Sequence, residues 1–187
     1  MNLGEKAAQR LIRIGGARLE PGLTDAEFAR VEDQFGFTFA DDHRAFLATA
    51  LPVDGGREDG WPDWRDGDPE DLRRRLDRPA DGVLFDVEHN RTWMRFWGER
   101  PEDLAERLEK ARAELASVPT MVPVFSHRYL PAGRGTSGHA VLSIHQTDII
   151  FYGTDLADYV EREFGQGPRD YDTWNPEATV PFWSEFC

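Results

Sequence analysis

The stretch of residues 127–153, HRYLPAGRGTSGHAVLSIHQTDIIFYG, holds the side chains of this sequence best suited to chemistry. It contains three histidines, two serines, an aspartate and the glycine pattern Gly133-x-Gly135-x-x-Gly138. These residue types suit three kinds of site: a metal centre, a hydrolase triad or a nucleotide-binding loop. Each kind of site requires its own local structure, which the surrounding sequence either favours or disfavours.

A metal centre would use His127, His145 and Asp148. His139 cannot join them, because it lies six residues from His145 on one predicted strand, a separation of roughly 20 Å at about 3.3 Å per residue. His145 and Asp148 can meet across a tight turn, with His127 arriving from the preceding strand. Such a site has three ligands at most, so we predict a structural role at a strand end and keep a metal-assisted hydrolase as the alternative.

A hydrolase triad would combine Ser143, His145 and Asp148. Ser143 and His145 share one side of a predicted strand. Regular β geometry, however, keeps such a serine in the middle of a ladder, and no Gly-x-Ser-x-Gly elbow surrounds it. We therefore predict that residues 145–148 form a hairpin tip and not an active site.

The glycine pattern would bind a nucleotide only if it opened a helix, whose N-terminus could then meet the phosphate. The residues that follow it, HAVLSI, have the composition of a strand. The glycines are therefore predicted to form a connection between strands.

Negative charge is concentrated in one part of the chain. The formal net charge is −13, and between residues 20 and 71 fifteen acidic residues face four arginines, a local net charge of −11. A nucleic-acid binder needs a basic footprint for phosphate, so we expect no nucleic-acid partner. An acidic surface can instead steer a cationic protein towards it, or merely keep the chain solvated.

The Gly-, Asp- and Trp-rich segment 54–68, DGGREDGWPDWRDGD, is predicted to be a long loop and the partner-binding site. The residues assigned to that site are Trp61, Asp63, Trp64, Asp66 and Asp68. The two tryptophans are expected to be exposed apolar anchors, and the aspartates to supply steering. The alternative places both tryptophans in the core and leaves the aspartates to solvate the loop.

Length and composition favour one domain. The 187 residues contain no signal-type apolar run and no membrane-length apolar stretch, so we expect a soluble, cytoplasmic protein without a membrane partner. The only cysteine is Cys187, which excludes an internal disulfide framework and a cysteine-based zinc cluster.

Local signals predict the elements. Thr24 and Glu27 form a capping box, and Gly36 ends the helix that they begin. Asp68 and Pro69 begin another helix, which Pro79 is expected to stop. Helices are predicted at 4–13, 25–35, 41–50, 69–77, 101–117 and 154–165. Strands are predicted at 82–88 and 91–98 as one hairpin, at 120–127, and at 140–145 and 148–153 as another.

This order of elements predicts an α+β fold. We expect a single domain over residues 1–187, with a mostly antiparallel central sheet, flanking helices and an N-terminal helix pair. Residues 1–22 are expected to form an N-terminal extension. The tail 166–187 is expected to pack back on the domain, because Trp174, Phe182 and Trp183 offer apolar area worth burying.

Several segments resemble the SUKH superfamily, the Smi/Knr type of cell-wall-assembly regulator and its bacterial relatives. LTDAEFARVEDQFGFTFADDHRAFL is similar to the opening of these proteins. LFDVEHN, WGERP, VPVFSHRYLP, VLSIHQTDIIFYGTDLADYV and VPFW resemble longer bacterial members, so the likeness runs from about Leu23 onward. The segment GHAVLSI departs from the pattern, and no role of His139 is carried over.

The resemblance implies an α+β fold, no cofactor and no established catalytic residue. It also implies a binding function without turnover. Many bacterial members are regarded as immunity proteins that neutralise toxins, often nucleases, whereas the fungal members are regulatory interaction proteins. We therefore expect a non-enzymatic protein-binding module of the immunity type, with a cationic toxin domain as its partner. A regulatory interaction protein is the alternative.

Overall fold

A computed structural model describes residues 1–57, 59–165 and 179–187. These residues form an α+β fold with six α-helices and two antiparallel sheets, as the order of the sequence elements predicts. The helices are α1 (Leu3–Ile14), α2 (Asp25–Phe35), α3 (Asp41–Thr49), α4 (Pro69–His89), α5 (Leu104–Leu115) and α6 (Leu156–Phe164). The strands are β1 (Arg18–Pro21), β2 (Ala50–Val53), β3 (Met121–Phe125), β4 (Arg128–Pro131), β5 (Val141–His145) and β6 (Asp148–Gly153).

The main sheet has the strand order β3-β4-β5-β6, in which each strand pairs with the next along the chain. The predicted hairpin of β5 and β6 is confirmed, with His145 opposite Asp148 at its tip. Strand β4 and the small sheet of β1 and β2 have no counterpart among the predicted elements. All three are only four residues long. Strands β2 and β4 are buried throughout, so these two lack the polar/apolar alternation that marks a strand in sequence.

Helix α2 begins and ends where its sequence signals place it. The Thr24 hydroxyl accepts from the Glu27 main-chain N–H at 3.3 Å, and the Glu27 carboxylate accepts from the Thr24 N–H at 2.7 Å. Gly36 ends the helix with a φ of 75°, a conformation that glycine adopts without steric cost. The predicted capping box is therefore confirmed.

The predicted hairpin at 82–98 is wrong. Helix α4 continues through Pro79 to His89, and the following segment holds only a short 3-10 helix at Arg95–Trp97. Pro79 lacks the N–H that would pair with the carbonyl four residues earlier, that of Arg75. The hydroxyl of Tyr129 on β4 donates to this carbonyl instead. Val83 and Val87 lie one turn apart on a buried helix face, so the β-branched residues that favour a strand by composition pack here as part of a helix.

The core has two parts, one on each side of the main sheet. Val122, Val124 and Leu130 pack in the cluster that contains α1, α2, α3 and α6. Met121, Tyr129 and Leu142 pack in the cluster that contains α4 and α5. Because neighbouring residues of a strand point to opposite faces, both faces of the sheet are covered by helices.

Of the tail 166–187, the structure describes residues 179–187, and these pack on the domain. Val180, Phe182 and Trp183 are buried, and the Trp183 indole N–H donates to the Pro119 carbonyl at 2.8 Å. The predicted contact of Trp174 lies outside the described residues. Within the described part of the chain, no helix combines the length and apolarity needed to cross a bilayer.

Candidate functional site

The two tryptophans of the acidic loop are buried, so the prediction that they are exposed anchors is wrong. Trp61 is 3% exposed, and its ring centroid lies 5.0 Å from that of Phe125 and 5.1 Å from that of Phe164. Trp64 is 1% exposed and packs against Phe37 and Phe39. These two rings attach the loop to the core, because burying their apolar area stabilises the folded state.

The three aspartates of the loop lie at its surface and shape its backbone. The Asp63 carboxylate accepts from the main-chain N–H groups of Arg65 and Asp66, at 3.1 and 3.0 Å. Asp68 is the N-cap of α4 and accepts from the Glu70 N–H at 2.8 Å. Asp66 is exposed. The structure thus separates the five predicted site residues into two buried rings and three surface carboxylates.

A residue that the sequence analysis did not select, Arg75, holds the start of the loop in place. Its guanidinium is buried and donates to the carbonyls of Arg57 and Gly60, at 2.6 and 3.1 Å. It also pairs with Asp71, one turn earlier on α4, at 2.7 Å. The four-residue spacing of Asp71 and Arg75 on a predicted helix is the sequence signal that indicates this ion pair.

Some of the carboxylates between residues 20 and 71 form hydrogen bonds and ion pairs within the fold. Glu27 accepts from Arg65 at 2.6 Å, and this hydrogen bond, with those from Thr24, lowers the pKa of Glu27 to about 2. Glu32 is buried and accepts from the Phe39 N–H and from Arg134. These carboxylates are neutralised by protein groups, so they contribute little to a long-range field.

Five further carboxylates of this part of the chain lie where the loop meets the ends of two helices. Arg30 of α2 donates to the Arg65 carbonyl, and Arg73 of α4 donates to the Phe35 carbonyl at the end of α2. These two contacts bring the end of α2, the loop and the start of α4 side by side. We call the exposed or half-exposed carboxylates of this region the acidic surface: Asp33, Asp63, Asp66, Asp68 and Glu70.

The structure does not gather the three predicted metal ligands at one place. His127 and His145 line one cavity of about 490 Å³ together with Arg74, Arg78 and Asp81, whereas Asp148, which lies opposite His145 at the hairpin tip, does not line it. Burial, followed by the charge of Arg128, lowers the pKa of His127 to about 4. Over residues 1–57, 59–165 and 179–187, no three His, Cys, Asp or Glu side chains are grouped to hold a metal ion. The neighbouring arginines make the cavity a poor setting for a cation.

Ser143 lies in the middle of the sheet, as predicted. It is 9% exposed and pairs with Arg128 on β4 and with Ile150 on β6. A serine held between two strands has no room for the attacking geometry of a hydrolase nucleophile.

The glycine pattern forms the predicted connection between strands, and its backbone groups are already bonded. The Gly135 N–H donates to the Asp41 carboxylate at 2.9 Å, and the Gly138 N–H donates to Asp42 at 2.8 Å. Both aspartates belong to the first turn of α3. These carboxylates occupy the donors that a phosphate would require.

The fold and the site define a single-domain α+β protein with a surface built from carboxylates. No protein-family model matches the chain, and neither a curated protein nor a solved structure matches it. Membership of the SUKH superfamily therefore stays a prediction. Function is inferred from the chain's own residues.

Proposed function

We propose that the chain is a non-enzymatic protein-binding module whose acidic surface engages a cationic partner protein. The observation that carries the proposal is the fixed backbone beneath that surface. Trp64 anchors the loop in the core, Asp63 bonds two of its N–H groups, and Arg30 bonds the carbonyl of Arg65. A surface that is already ordered pays little conformational entropy on binding.

The partner is defined by its charge. Exposed carboxylates of one sign accelerate the encounter with a basic protein and disfavour acidic ones. A nuclease that grips phosphate presents a cationic cleft, so a basic nuclease toxin is the partner class with the best charge match. We therefore assign the chain an immunity-type role in the cytoplasm. A regulatory interaction protein would use the same surface with a different basic partner.

Charge reversal tests this proposal without disturbing the loop. Asp66→Lys and Glu70→Lys are the variants of choice, because both side chains are exposed and neither carboxylate has a hydrogen bond within the described residues. The analyte is the protein encoded by the neighbouring gene, measured by surface plasmon resonance. We expect the double variant to associate about tenfold more slowly at low salt.

The matched control reverses two exposed carboxylates on the α5 side of the molecule, Glu102→Lys and Glu109→Lys. It changes the net charge by the same amount as the test variant. Equal slowing of association in both double variants would therefore be an effect of net charge, whereas slowing in the test variant alone would be an effect of the acidic surface. We expect the control to change the association rate by less than about twofold. Equal slowing in both double variants would remove the acidic surface from the proposal.

A further inference from the structure

A second surface feature, distinct from the acidic surface, is a cleft of about 600 Å³ at the turn between β3 and β4. Its walls are the start of β1, the loop residues 54–57 and 59–61, this turn and the end of α6. Trp61, Phe125 and Phe164 form an aromatic floor, with ring centroids 5.0 to 5.2 Å apart. No residue of the acidic surface lines the cleft.

Arg128 of β4 also lines this cleft, and no ion pair among the described residues involves it. It is 9% exposed, and its Nε and Nη1 have no hydrogen-bond partner in the described part of the chain. The guanidinium carbon lies 3.8 Å from the centroid of the Tyr152 ring, which covers one face of the group but accepts no hydrogen bond from those two nitrogens. Burying a cation without an anion is costly, so a bound anion would gain from relieving that cost.

The other charged groups around the cleft are largely satisfied. Arg18 pairs with Glu20 at 3.2 Å, and Arg57 pairs with Asp59 at 3.7 Å. The Asp54 carboxylate accepts from two main-chain N–H groups, those of Arg57 and Trp61. Glu163 also lines the cleft and, like Arg128, lies near the Tyr152 hydroxyl, but no ion pair among the described residues joins Glu163 to Arg128. Arg128 is therefore the group best placed to bind an added anion.

The turn supplies polar groups beside Arg128. The Ser126 hydroxyl lies 3.0 Å from Nδ1 of His127. Ser126 has a φ of 50°, which is unusual for a residue other than glycine, and its N–H donates to the Gly60 carbonyl at 2.9 Å. Gln146, in the corresponding turn between β5 and β6, has a φ of 56°, so this conformation belongs to the two-residue hairpin turn, which fixes the position of the Ser126 side chain.

We propose that this cleft binds a small organic carboxylate with an aromatic or branched apolar body. The carboxylate accepts hydrogen bonds from Arg128 and from the Ser126 hydroxyl, and the body lies on Trp61, Phe125 and Phe164. An arginine holds a carboxylate through charge-assisted hydrogen bonds, and aromatic side chains give the body a flat apolar contact. A site with both features favours ligands that carry a carboxylate and an apolar body over ligands with only one of them.

Phenylacetate is the probe for this site. The full chain is titrated with it, and binding is monitored by amide NMR shifts and by tryptophan fluorescence. Phenylacetamide, which has the same shape without the charge, and inorganic phosphate, which has charge without the apolar body, are the comparisons. We expect saturable binding of phenylacetate below about 10 mM, and at least about tenfold weaker binding of the other two. The amides of Ser126 and His127 should shift with the fluorescence.

Two variants test the assignment to Arg128 and to the cleft. Arg128→Gln is expected to weaken phenylacetate binding at least about tenfold, whereas Arg112→Gln on α5, an exposed control, should leave it unchanged. Ala17→Phe fills the cleft from its half-exposed wall and should abolish binding in a folded protein, so the test does not depend on the stability of the Arg128 variant. Equal binding of phenylacetamide, unchanged binding in Ala17→Phe, or no saturation by phenylacetate would each overturn the proposal.

Discussion

The hydroxyl of Tyr129 lies 3.1 Å from the main-chain carbonyl oxygen of Arg75 and donates a hydrogen bond to it. Arg75 is four residues before Pro79, so this carbonyl is the one that the proline leaves without its helical partner. Burial raises the pKa of Tyr129 to about 12, which keeps the donor protonated. One side chain of the sheet thus allows α4 to continue past a proline.

Tyr129→Phe is expected to lower the free energy of unfolding by about 1–3 kcal/mol, because it leaves the buried Arg75 carbonyl without a donor. Pro79→Ala restores a main-chain N–H at that point. In the Pro79→Ala background the same Tyr129 change should therefore cost less than about 1 kcal/mol, a coupling measurable by urea denaturation of all four proteins. Additive losses would show that the hydroxyl does not compensate for the proline.

Trp64→Ala is expected to be destabilising, by about 3–5 kcal/mol, because it deletes a buried ring that contacts Phe35, Phe37 and Phe39. Trp93→Ala is the control, since that ring is only partly buried. Chemical denaturation compares the two variants. Wild-type stability of Trp64→Ala would mean that the ring lies at the surface, as the loop composition first suggested.

Acid is expected to destabilise the protein through His43. Burial lowers the pKa of His43 to about 3, whereas a histidine in an unfolded chain titrates near pH 6.5. The unfolded state therefore binds a proton that the folded state does not, and stability falls as the pH drops below about 6.5. His127, with a pKa lowered to about 4, acts in the same direction.

His43→Leu should flatten the dependence of the melting temperature on pH between 7 and 5, roughly the window in which an unfolded histidine gains its proton. Glu27 does not confuse this window, because its pKa is lowered and its contribution is lost only below its usual pKa of 4.5. His89→Leu, at an exposed helix end, is the control and should keep the wild-type slope. An unchanged slope in His43→Leu would assign the acid sensitivity to other groups.

Arg75→Met is expected to release the start of the acidic loop. The change removes the donors to the carbonyls of Arg57 and Gly60 while keeping the apolar stem of the side chain. Hydrogen exchange should accelerate at the amides of Trp61 and its neighbours, and it should not do so in Arg74→Met, whose arginine is exposed. Unchanged exchange in Arg75→Met would show that Trp61 and Asp54 suffice to hold the loop.

Features set by neighbouring residues could be predicted from the sequence, and features set by distant ones could not. The Thr24–Glu27 capping box and the turn between β5 and β6 each depend on residues within a few positions. The length of α4 depends on Tyr129, 54 residues from Arg75. No local pattern contains that contact, so Pro79 was interpreted as a stop.

In the candidate site, too, the features set by neighbouring residues could be predicted and those set by distant residues could not. The concentration of carboxylates is visible in the composition, and Asp63, Asp66 and Asp68 lie at the surface as expected. The burial of Trp61 and Trp64 depends on rings from other parts of the chain, including Phe125 and Phe164. The residues around a tryptophan do not show whether its ring faces solvent or the core. The many aspartates of this loop therefore favour exposed tryptophans, whereas both rings are buried.

The central claim, that the acidic surface is the contact region for a cationic protein, is tested most directly by a binding footprint. Amide hydrogen exchange of the chain would be measured with and without the protein encoded by the neighbouring gene, at low and at physiological ionic strength. We predict protection at residues 63–70 and around Asp33, with occupancy that falls steeply above about 0.15 M salt, where the Debye length is about 8 Å. Protection confined to α5 or to the Arg128 cleft, or no binding at either salt concentration, would contradict the claim.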